Sequence, residues 1–270
     1  MQSSRGARAA DVPVRLVVDI GNTSTTLAIF TGDEEPSVES VPSALFADSS
    51  TMREVFGNMA RKHGEPQAIA ICSVVPSATA VGSALLESLF SVPVLTICCK
   101  LRFPFRLDYA TPHTFGADRL ALCAWSRHLF SEKPVIAVDI GTAITFDVLD
   151  TVGNYRGGLI MPGIDMMAGA LHSRTAQLPQ VRIDRPESLL GRSTTECIKS
   201  GVFWGVVKQI GGLVDAIRGD LVRDFGESTV EVIVTGGNSR IIVPEIGPVS
   251  VIDELAVLRG SDLLLRMNMP

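Results

Sequence analysis

Two stretches of the sequence carry the same ordered set of chemically useful residues. Residues 16–27 read LVVDIGNTSTTL and residues 135–147 read VIAVDIGTAITFD, so that Asp19 and Asp139 lie 120 positions apart. In each copy an apolar, β-branched run ends in aspartate, isoleucine and glycine, and hydroxyl-bearing residues follow. The repeat predicts two strand–turn–strand units in related half-domains that face one cleft.

These residue types suit the binding of phosphate through a cation. A glycine turn lets the backbone approach a ligand, and successive N–H groups of such a turn can surround an anion. Hydroxyl donors to phosphate oxygens are available at Thr23, Ser24, Thr142 and Thr145. Asp19 and Asp139 would repel phosphate directly, which predicts a cation or its water beside each carboxylate. Two ordinary hairpins with common turn chemistry are the alternative.

A third candidate lies between the two copies, after an irregular aromatic segment at residues 104–115. Asp118 falls in the first turn of a predicted apolar helix, where the helix dipole favours a carboxylate. It is therefore either a helix-start residue with Arg119 as a surface cation, or a general base with Arg119 as an anion clamp. His113 is an alternative base, although a lone loop histidine is usually a solvated side chain.

The surrounding elements alternate between strands and helices. Apolar spacing predicts helices at residues 51–63, 77–90, 120–130, 165–174, 196–218 and 253–266, and strands at residues 67–73, 92–97, 159–161 and 230–234. Ser77 is predicted to cap the second helix, and Ser193 or Thr194 the fifth. A TGGN turn at residues 235–238 is able to admit a nucleotide base or ribose. This order predicts an α/β layered fold.

Composition excludes several classes of protein. The 270 residues are 46% hydrophobic and 20% charged, as expected for one large or two medium globular domains. A net charge of −5 without a long basic run argues against a nucleic-acid partner, and no apolar stretch reaches membrane-spanning length. Residues 1–13 are expected to form a disordered leader rather than a signal peptide. The five cysteines are expected to be mostly buried thiols of a reducing cytoplasm.

Taken together, the motifs resemble those of type III pantothenate kinase. In chain order they are DIGNT at 19–23, CSVVPS at 72–77, YATPHTFGADR at 109–119, DIGTAITFD at 139–147, GNYRGGLIMPGI at 153–164, TAQLPQV at 175–181, GRST at 191–194 and TGGN at 235–238. The resemblance runs from about residue 14 to the end, in the family's order and with similar spacing. Related sugar and acetate kinases share the hairpins but not GADR between them.

The resemblance implies ATP-dependent phosphorylation of pantothenate at its primary hydroxyl, which gives 4'-phosphopantothenate in the first step of coenzyme A biosynthesis. It implies an α/β fold of two ribonuclease-H-like domains of the actin-like ATPase type, with mixed sheets flanked by helices. These domains are expected at residues 14–115 and 116–270. The family further implies a homodimer that needs Mg²⁺ together with K⁺ or NH₄⁺. The cysteines, charge and hydropathy described above add the expectation of a cytoplasmic protein with no nucleic-acid or membrane partner.

Site roles follow from the same resemblance. Asp118 matches the catalytic aspartate that accepts or orients the hydroxyl proton, and Asp139 matches the ligand of the monovalent cation. The pantothenate-contacting residues correspond to Tyr109, Gly116, Ala117, Asp118, Arg119 and Thr194. The ATP-binding residues correspond to Asp19, Ile20, Gly21, Asn22, Thr23, Ser24, Thr25, Thr26 and Thr142.

Two departures from the family pattern lie on the nucleotide side. The second hairpin reads TAIT where TATT is commoner, and the glycine turn reads GGNS where GGL or GGF followed by alanine is more usual. ATP affinity or nucleotide preference is therefore the property most open to change, whereas GADR is intact. The alternatives are another phosphotransferase or phosphohydrolase of the same fold and a non-catalytic binding relative.

Overall fold

The computed structural model describes residues 12–47, 49–226 and 229–269. The predicted disordered leader, residues 1–13, lies outside the described residues except for Val12 and Pro13. Strands of the described residues are β1 (Val14–Ile20), β2 (Ser24–Thr31), β3 (Ser37–Pro42), β4 (Ala68–Ser73), β5 (Val94–Thr96), β6 (Val135–Ile140), β7 (Ala143–Leu149), β8 (Tyr155–Pro162), β9 (Glu231–Thr235) and β10 (Val251–Ile252). Helices are α1 (Ser49–His63), α2 (Pro76–Phe90), α3 (Ala117–Leu129), α4 (Ile164–Ser173), α5 (Thr194–Phe225), α6 (Ser239–Ile246) and α7 (Ala256–Asn268), with short 3-10 turns at Ser43–Ala47 and Pro112–Thr114.

The described strands form two mixed sheets of the same design. The first has the order β3-β2-β1-β4-β5, and the second has the order β10-β9-β6-β7-β8. In each, a central strand (β1 or β6) pairs antiparallel with the next strand of the chain and parallel with a later one (β4 or β9). The sequence repeat is therefore a repeat of sheet topology, because β1–β2 and β6–β7 occupy equivalent positions.

The chain divides into two compact units. The first comprises the described residues up to Arg102, Gly116–Asp118 and the residues from Ser261 onward, and the second comprises Phe103–Phe115 and Arg119–Gly260. Both α3 and α7 therefore contribute residues to each unit. The division at residue 115 that the sequence suggests stays a prediction.

Each sheet forms its own core. In the first unit, apolar residues of β1, β2 and β4 pack with those of α1 and α2. In the second unit, residues of β6, β7 and β9 pack with those of α4, α5 and α6. Both faces of β1, β4, β6 and β9 are covered, so these strands are almost continuously apolar. This apolar run makes them recognisable in the sequence.

Several local details differ from the predictions. β3 is a mostly exposed strand beside β2, and its polar sequence carries little periodic signal. The predicted Ser77 cap is wrong, since α2 begins at Pro76 after Val75 and has no side-chain cap. Proline is well placed there because its missing N–H would have no helical partner. At α5 the predicted Ser193 cap is confirmed, as its side chain accepts from the Glu196 N–H at 3.3 Å.

Two further features concern the apolar character of the helices and the state of the cysteines. No helix within the described ranges combines the length and the apolar character needed to cross a bilayer. All five cysteines are free, but only Cys72 and Cys123 are buried, whereas Cys98 and Cys197 are exposed and Cys99 is intermediate. The expectation that most of the cysteines are buried is therefore wrong. Cys98 and Cys99 lie in a loop, and Cys197 lies in the first turn of α5.

Candidate active site

Asp19 lies one residue before the end of β1, beside a tight glycine turn. It is opposite Thr26 of β2 and beside Cys72 of β4 in the sheet register. The Gly21 N–H donates to the Ser24 carbonyl at 3.0 Å, and a Cβ at Gly21 would lie 3.0 Å from that same oxygen. The first hairpin thus holds a half-buried carboxylate next to a turn that favours glycine.

The charge on Asp118 acts on Asp19 within the first unit. Loss of solvation, and then the negative charge of Asp118, raise the pKa of Asp19 from 3.8 to about 7, while a hydrogen bond from Cys72 opposes this rise. Asp118 occupies the first turn of α3, as predicted. Two carboxylates that disfavour each other's charge can both ionise readily once a cation lies between them.

The predicted ATP-binding segment divides between core and surface. Ile20 and Thr25 are buried in β1 and β2. Asn22, Thr23 and Ser24 are exposed in and just after the turn. The turn therefore presents one amide and two hydroxyl side chains to solvent, which suits contact with a polyanion.

The remaining hydroxyls of the first hairpin hold its shape. Thr25 Oγ1 lies 3.0 Å from Ser43 Oγ, and Ser43 Oγ donates to the Gly21 carbonyl at 2.7 Å. Thr26 Oγ1 lies 2.9 Å from Ser40 Oγ. Thr25 and Thr26 thus connect the glycine turn to the segment that follows β2.

Asp139 occupies the equivalent position in the second sheet. It lies opposite Thr145 of β7 and beside Thr235 of β9. A Cβ at Gly236 would be 2.4 Å from Asp139 Oδ1, so the glycine turn after β9 can approach the carboxylate only because no side chain intervenes. Thr145 Oγ1 is buried and has no hydrogen-bond partner among the described residues.

Thr142 lies in the turn of the second hairpin and is exposed. Its carbonyl accepts from the Gly163 N–H at 3.0 Å, and a Cβ at Gly163 would be 2.3 Å from that oxygen. The turn is thus fixed against the start of α4 through backbone atoms. The Thr142 side chain is exposed, so its hydroxyl is accessible for the expected phosphate contact.

Arg119 forms a buried hydrogen-bonded group with Asp147 and Tyr155. Its Nη2 lies 2.7 Å from Asp147 Oδ1, its Nε lies 3.1 Å from Oδ2, and Tyr155 Oη donates to Oδ1 at 2.9 Å. Burial lowers the pKa of Arg119, but the hydrogen bonds and charge of Asp147 outweigh it, so the guanidinium stays charged. Burial and then Asp147 raise the pKa of Tyr155, which keeps the phenol protonated.

Tyr109 belongs to an aromatic cluster next to this ion pair. Its ring meets Phe115 edge-on at 5.0 Å and Tyr155 at 5.9 Å, and the Arg119 guanidinium lies 4.4 Å from the Phe115 ring centroid. Tyr109 itself is half-buried. The structure therefore brings two of the predicted substrate residues, Tyr109 and Arg119, to one aromatic cluster.

Thr194 lies at the start of α5, on the edge of an apolar groove in the second unit. The groove has a volume of about 840 Å³, and α4 and α5 supply most of its lining, including Met166, Leu171, Gly201 and Gly205. Met166 is 50% exposed although it lies on an apolar face. The glycines on α5 thus line an open groove.

The carboxylates suit metal ions that bind together with a substrate. No group of three or more His, Cys, Asp or Glu side chains within the described ranges forms a complete metal site. Mg²⁺ usually keeps several waters and binds through one or two carboxylates plus substrate phosphates. Asp19 and Asp118 fit such an ion, and Asp139 with the buried Thr145 hydroxyl fits a singly charged one.

Asp147, Tyr155 and Cys72 received no role from the sequence, although all three lie in the quoted motifs. Asp147 is fully buried in β7, and a charged residue inside an apolar strand is a usable signal, because buried charges need partners. Cys72 offered no such signal, since a buried cysteine reads as a small apolar residue. Its importance depends on the register of β1 with β4, which is a tertiary property.

Comparison with known proteins gives consistent results. A model of the type III pantothenate kinase family matches residues 15–216. The type III pantothenate kinase of Chlorobaculum parvum is 70% identical over 268 residues, which cover 99% of this chain and 100% of that relative. The corresponding protein of Chlorobium luteolum is 44% identical over 253 residues, which cover 94% of each chain.

A solved structure supports the fold. The activator of the 2-hydroxyisocaproyl-CoA dehydratase from Clostridium difficile, with bound ADPNP, superimposes with a TM-score of 0.52 at 13% identity, over 93% of this chain and 94% of that one. At this identity the likeness concerns the fold alone. The predicted class, two mixed α/β sheets of the actin-like ATPase type, is confirmed.

Proposed function

The chain belongs to the type III pantothenate kinase family, and we propose that Asp118 and Asp19 carry its chemistry. It is a kinase that phosphorylates pantothenate with ATP, the reaction that begins coenzyme A biosynthesis. The observation that supports these two residues is a perturbed carboxylate beside the first glycine turn: loss of solvation, and then the charge of Asp118, raise the pKa of Asp19 to about 7. Such perturbed pairs of carboxylates are typical of catalytic sites.

Asp118 accepts or orients the proton of the pantothenate hydroxyl as that oxygen attacks the γ-phosphoryl group of ATP. The O–P bond to the acceptor forms as the bond between the γ-phosphorus and the bridging oxygen of ADP breaks. Phosphoryl transfer passes through a loose transition state, so positioning and neutralisation of charge matter more than base strength. The first turn of α3 suits this task because it fixes the carboxylate on a rigid element.

Asp19 and Asp118 hold Mg²⁺ together with the nucleotide phosphates. When bound, Mg²⁺ neutralises charge on the phosphates that are transferred or released. A cation beside the two carboxylates would favour the charged form of Asp19, against the loss of solvation and the charge of Asp118 that raise its pKa. The exposed Thr23, Ser24 and Thr142 hydroxyls donate to phosphate oxygens, while Thr25 and Thr26 support the first turn.

Asp139 binds K⁺ or NH₄⁺. What supports this role is the combination of the Asp139 carboxylate, the Thr145 hydroxyl without a partner among the described residues, and the close approach of Gly236. Neutral oxygens with one negative charge suit a singly charged ion better than Mg²⁺, which is usually bound by carboxylates and phosphates.

The residues proposed to contact pantothenate are Tyr109, Arg119 and Thr194 in the second unit and Gly116, Ala117 and Asp118 in the first. For Arg119, the contacts with Asp147 and Tyr155 support a positioning role in addition to the predicted clamp on an anion. The two donors that face Asp147 fix the plane of the guanidinium, and its face lies over Phe115 in the cluster that includes Tyr109. The substrate carboxylate then meets a cation whose orientation is already set.

The protein acts as a cytoplasmic homodimer without nucleic-acid or membrane partners. The apolar groove beside Gly201 and Gly205 supports self-association, because a second copy of the chain could bury its exposed apolar lining. Five free cysteines support a reducing compartment. The net charge of −5 argues against a polyanionic partner.

A coupled assay of ADP release tests the reaction and its cations together. We expect ADP release to require pantothenate and Mg²⁺, to rise on addition of K⁺ or NH₄⁺, and to yield phosphorylated pantothenate by mass spectrometry. Reactions without pantothenate and with Na⁺ in place of K⁺ serve as controls. ADP release that ignores pantothenate but follows a sugar or acetate would assign the chain another acceptor.

A further inference from the structure

Two residues of the GNYRGG motif at 153–158, Tyr155 and Gly158, lie against the Arg119 guanidinium. Gly158 of β8 is opposite Asp147 of β7 in the antiparallel register. A Cβ at Gly158 would lie 2.7 Å from Arg119 Nη2 and 2.6 Å from Tyr155 Oη. The guanidinium and the phenol therefore fill the space that any other residue at position 158 would need for its side chain.

Tyr155 closes a ring of hydrogen bonds around the guanidinium. Arg119 Nη2 donates to Tyr155 Oη at 2.9 Å and to Asp147 Oδ1 at 2.7 Å, and Tyr155 Oη donates to the same carboxylate oxygen at 2.9 Å. Arg119 Nε donates to Asp147 Oδ2 at 3.1 Å. All three side chains are buried, and each has both of the others as partners. The guanidinium cannot turn out of its plane without breaking more than one of these bonds.

An aromatic ring limits the remaining freedom of the guanidinium. Its Cζ lies 4.4 Å from the centroid of the Phe115 ring, and the Phe115 ring meets the Tyr155 ring edge-on at 5.1 Å. A guanidinium over the face of an aromatic ring is attracted by the ring electrons. Asp147, Tyr155, Gly158 and Phe115 belong to the same compact unit as Arg119, and we call these four residues the Arg119 socket.

The charge of the Arg119 socket suits one carboxylate better than a polyphosphate. Asp147 is fully buried and places its negative charge 2.7 Å from Arg119 Nη2. The pair is therefore close to neutral, and Asp147 would repel a group with several negative charges. A singly charged carboxylate gains most from donors that already lie in one plane. Of the anions that the reaction brings together, the carboxylate of pantothenate fits this socket better than the phosphates of ATP.

We propose that Tyr155 is a specificity-determining residue of the kinase reaction: in the room that Gly158 leaves, its hydroxyl holds Arg119 in the orientation that receives the substrate carboxylate. Tyr155 acts through Arg119 and is thus a positioning residue. This inference rests on the proposed contact of Arg119 with pantothenate. The socket then selects an alcohol that carries a carboxylate at its other end over a neutral alcohol of the same length.

Y155F removes the hydroxyl and keeps the ring that packs on Phe115. Two ligands report the result, pantothenate and pantothenol, in which a hydroxymethyl group replaces the carboxylate. We expect KM for pantothenate to rise about five- to tenfold, the scale of one hydrogen bond, while kcat and KM for ATP stay within about twofold. The inhibition constant of pantothenol against pantothenate should not change, because pantothenol has no carboxylate for Arg119 to receive.

G158A disturbs the socket from the other strand and keeps every polar group. Its methyl carbon would lie 2.7 Å from Arg119 Nη2 and 2.3 Å from the Phe146 carbonyl oxygen, so Arg119 must move and the Tm should fall. We expect the same selective loss of affinity for pantothenate. If one of the two variants does not fold, the other decides.

The matched control is S126A, which also removes one buried hydroxyl within the same unit. Ser126 Oγ donates to the Leu122 carbonyl at 2.7 Å, away from the socket residues. S126A should leave the constants for both ligands unchanged. A selective loss of pantothenate affinity in S126A as well would show that any lost hydroxyl in this unit has the effect.

The outcomes separate the socket from the contact of Arg119 itself. An unchanged KM for pantothenate in Y155F, or equal losses for pantothenate and pantothenol, would overturn the role of Tyr155. R119Q is the reference because it removes the cation: if R119Q keeps the wild-type preference for pantothenate over pantothenol, the proposed contact of Arg119 fails as well. If R119Q loses that preference while Y155F and G158A keep it, only the socket is excluded.

Discussion

The hairpin of Asp19 and the hairpin of Asp139 have the same backbone register but different chemical surroundings. Each aspartate lies one residue before the end of its central strand, with a glycine turn two residues later and a threonine opposite. Asp19 has a second carboxylate, Asp118, and a thiol near it. Asp139 has threonines on both neighbouring strands. We propose that this one supersecondary unit supplies two kinds of cation site.

In this proposal, the residues beside each aspartate decide which ion the hairpin suits. At the first hairpin, loss of solvation and then the charge of Asp118 raise the pKa of Asp19, and a doubly charged ion would offset the repulsion between the two carboxylates. At the second hairpin we propose that the Asp139 carboxylate and neutral hydroxyl oxygens bind a singly charged ion. We therefore expect perturbations at the two hairpins to separate Mg²⁺ dependence from K⁺ dependence.

The largest effect is expected from D118N, which tests whether Asp118 belongs to the chemistry of the first hairpin. The amide has the same size but cannot accept the hydroxyl proton, so kcat should fall about 10²–10³-fold with little change in KM. Removal of the negative charge should also lower the pKa of Asp19. Steady-state kinetics with both substrates measure the change in kcat and KM.

D165N is the matched control for D118N. Asp165 also lies in the first turn of a helix, α4, but it is exposed. Its substitution should leave kcat unchanged. Equal losses of kcat in both variants would indicate a general helix-start effect, and unchanged turnover in D118N would remove Asp118 from the chemistry.

D19N tests the electrostatic difference between the hairpins through stability. In the folded protein without cation the pKa of Asp19 is about 7, against an ordinary 3.8, so the folded state binds the extra proton between these values. The free energy of unfolding of the wild type therefore falls as pH rises from about 4 through 7, by about 2–4 kcal/mol. The neutral amide removes this fall, so D19N should be more stable than the wild type at pH 8 without Mg²⁺.

Thermal unfolding at pH 5 and pH 8, with and without MgATP, measures this effect. The wild type should gain stability from MgATP at pH 8, whereas D19N should gain much less because it lacks the ligand carboxylate. D139N is the comparison variant, since its site has no second carboxylate among the proposed ligands. The same pH response in wild type and D19N would assign the titration to another group.

D139N tests the proposed monovalent-cation site of the second hairpin. Loss of the single carboxylate should weaken activation by K⁺ about tenfold in its half-maximal concentration, while the Mg²⁺ dependence stays near that of wild type. Rate measurements over a series of K⁺ and NH₄⁺ concentrations provide the test. A shift in Mg²⁺ dependence instead would exchange the proposed roles of the two hairpins.

The sequence predicts the sheets and the two turns well, and it predicts the partners of the site residues poorly. β1 and β6 are recognisable because buried parallel strands are continuously apolar, and Gly21 and Gly141 mark the turns. β3 is not predicted from the sequence, because an exposed edge strand needs no apolar pattern. Arg119 was expected to face an anionic ligand, yet its strongest contact is Asp147, 28 positions away, and sequence spacing does not reveal such a pair.

The smallest effects are expected from substitution of Thr26 and Thr145, the threonines that lie opposite Asp19 and Asp139. Thr26 Oγ1 lies 2.9 Å from Ser40 Oγ, whereas Thr145 Oγ1 has no partner among the described residues. Replacing a buried hydroxyl that lacks a partner by a methyl group is neutral or stabilising, so T145V should keep or raise the Tm without K⁺. T26V should lose up to about 1 kcal/mol with its hydrogen bond.

The same pair of variants then reports on cation binding. If Thr145 serves the ion of Asp139, T145V should weaken K⁺ activation about two- to fivefold despite its unchanged or higher Tm, because a ligand oxygen is lost. T26V should leave K⁺ activation unchanged, since its hydroxyl only connects β2 to β3. A stability gain without any loss of K⁺ activation would make Thr145 a simple packing residue. Asp139 would then have to bind the ion with other oxygens, of which the Thr235 side chain is the nearest in register.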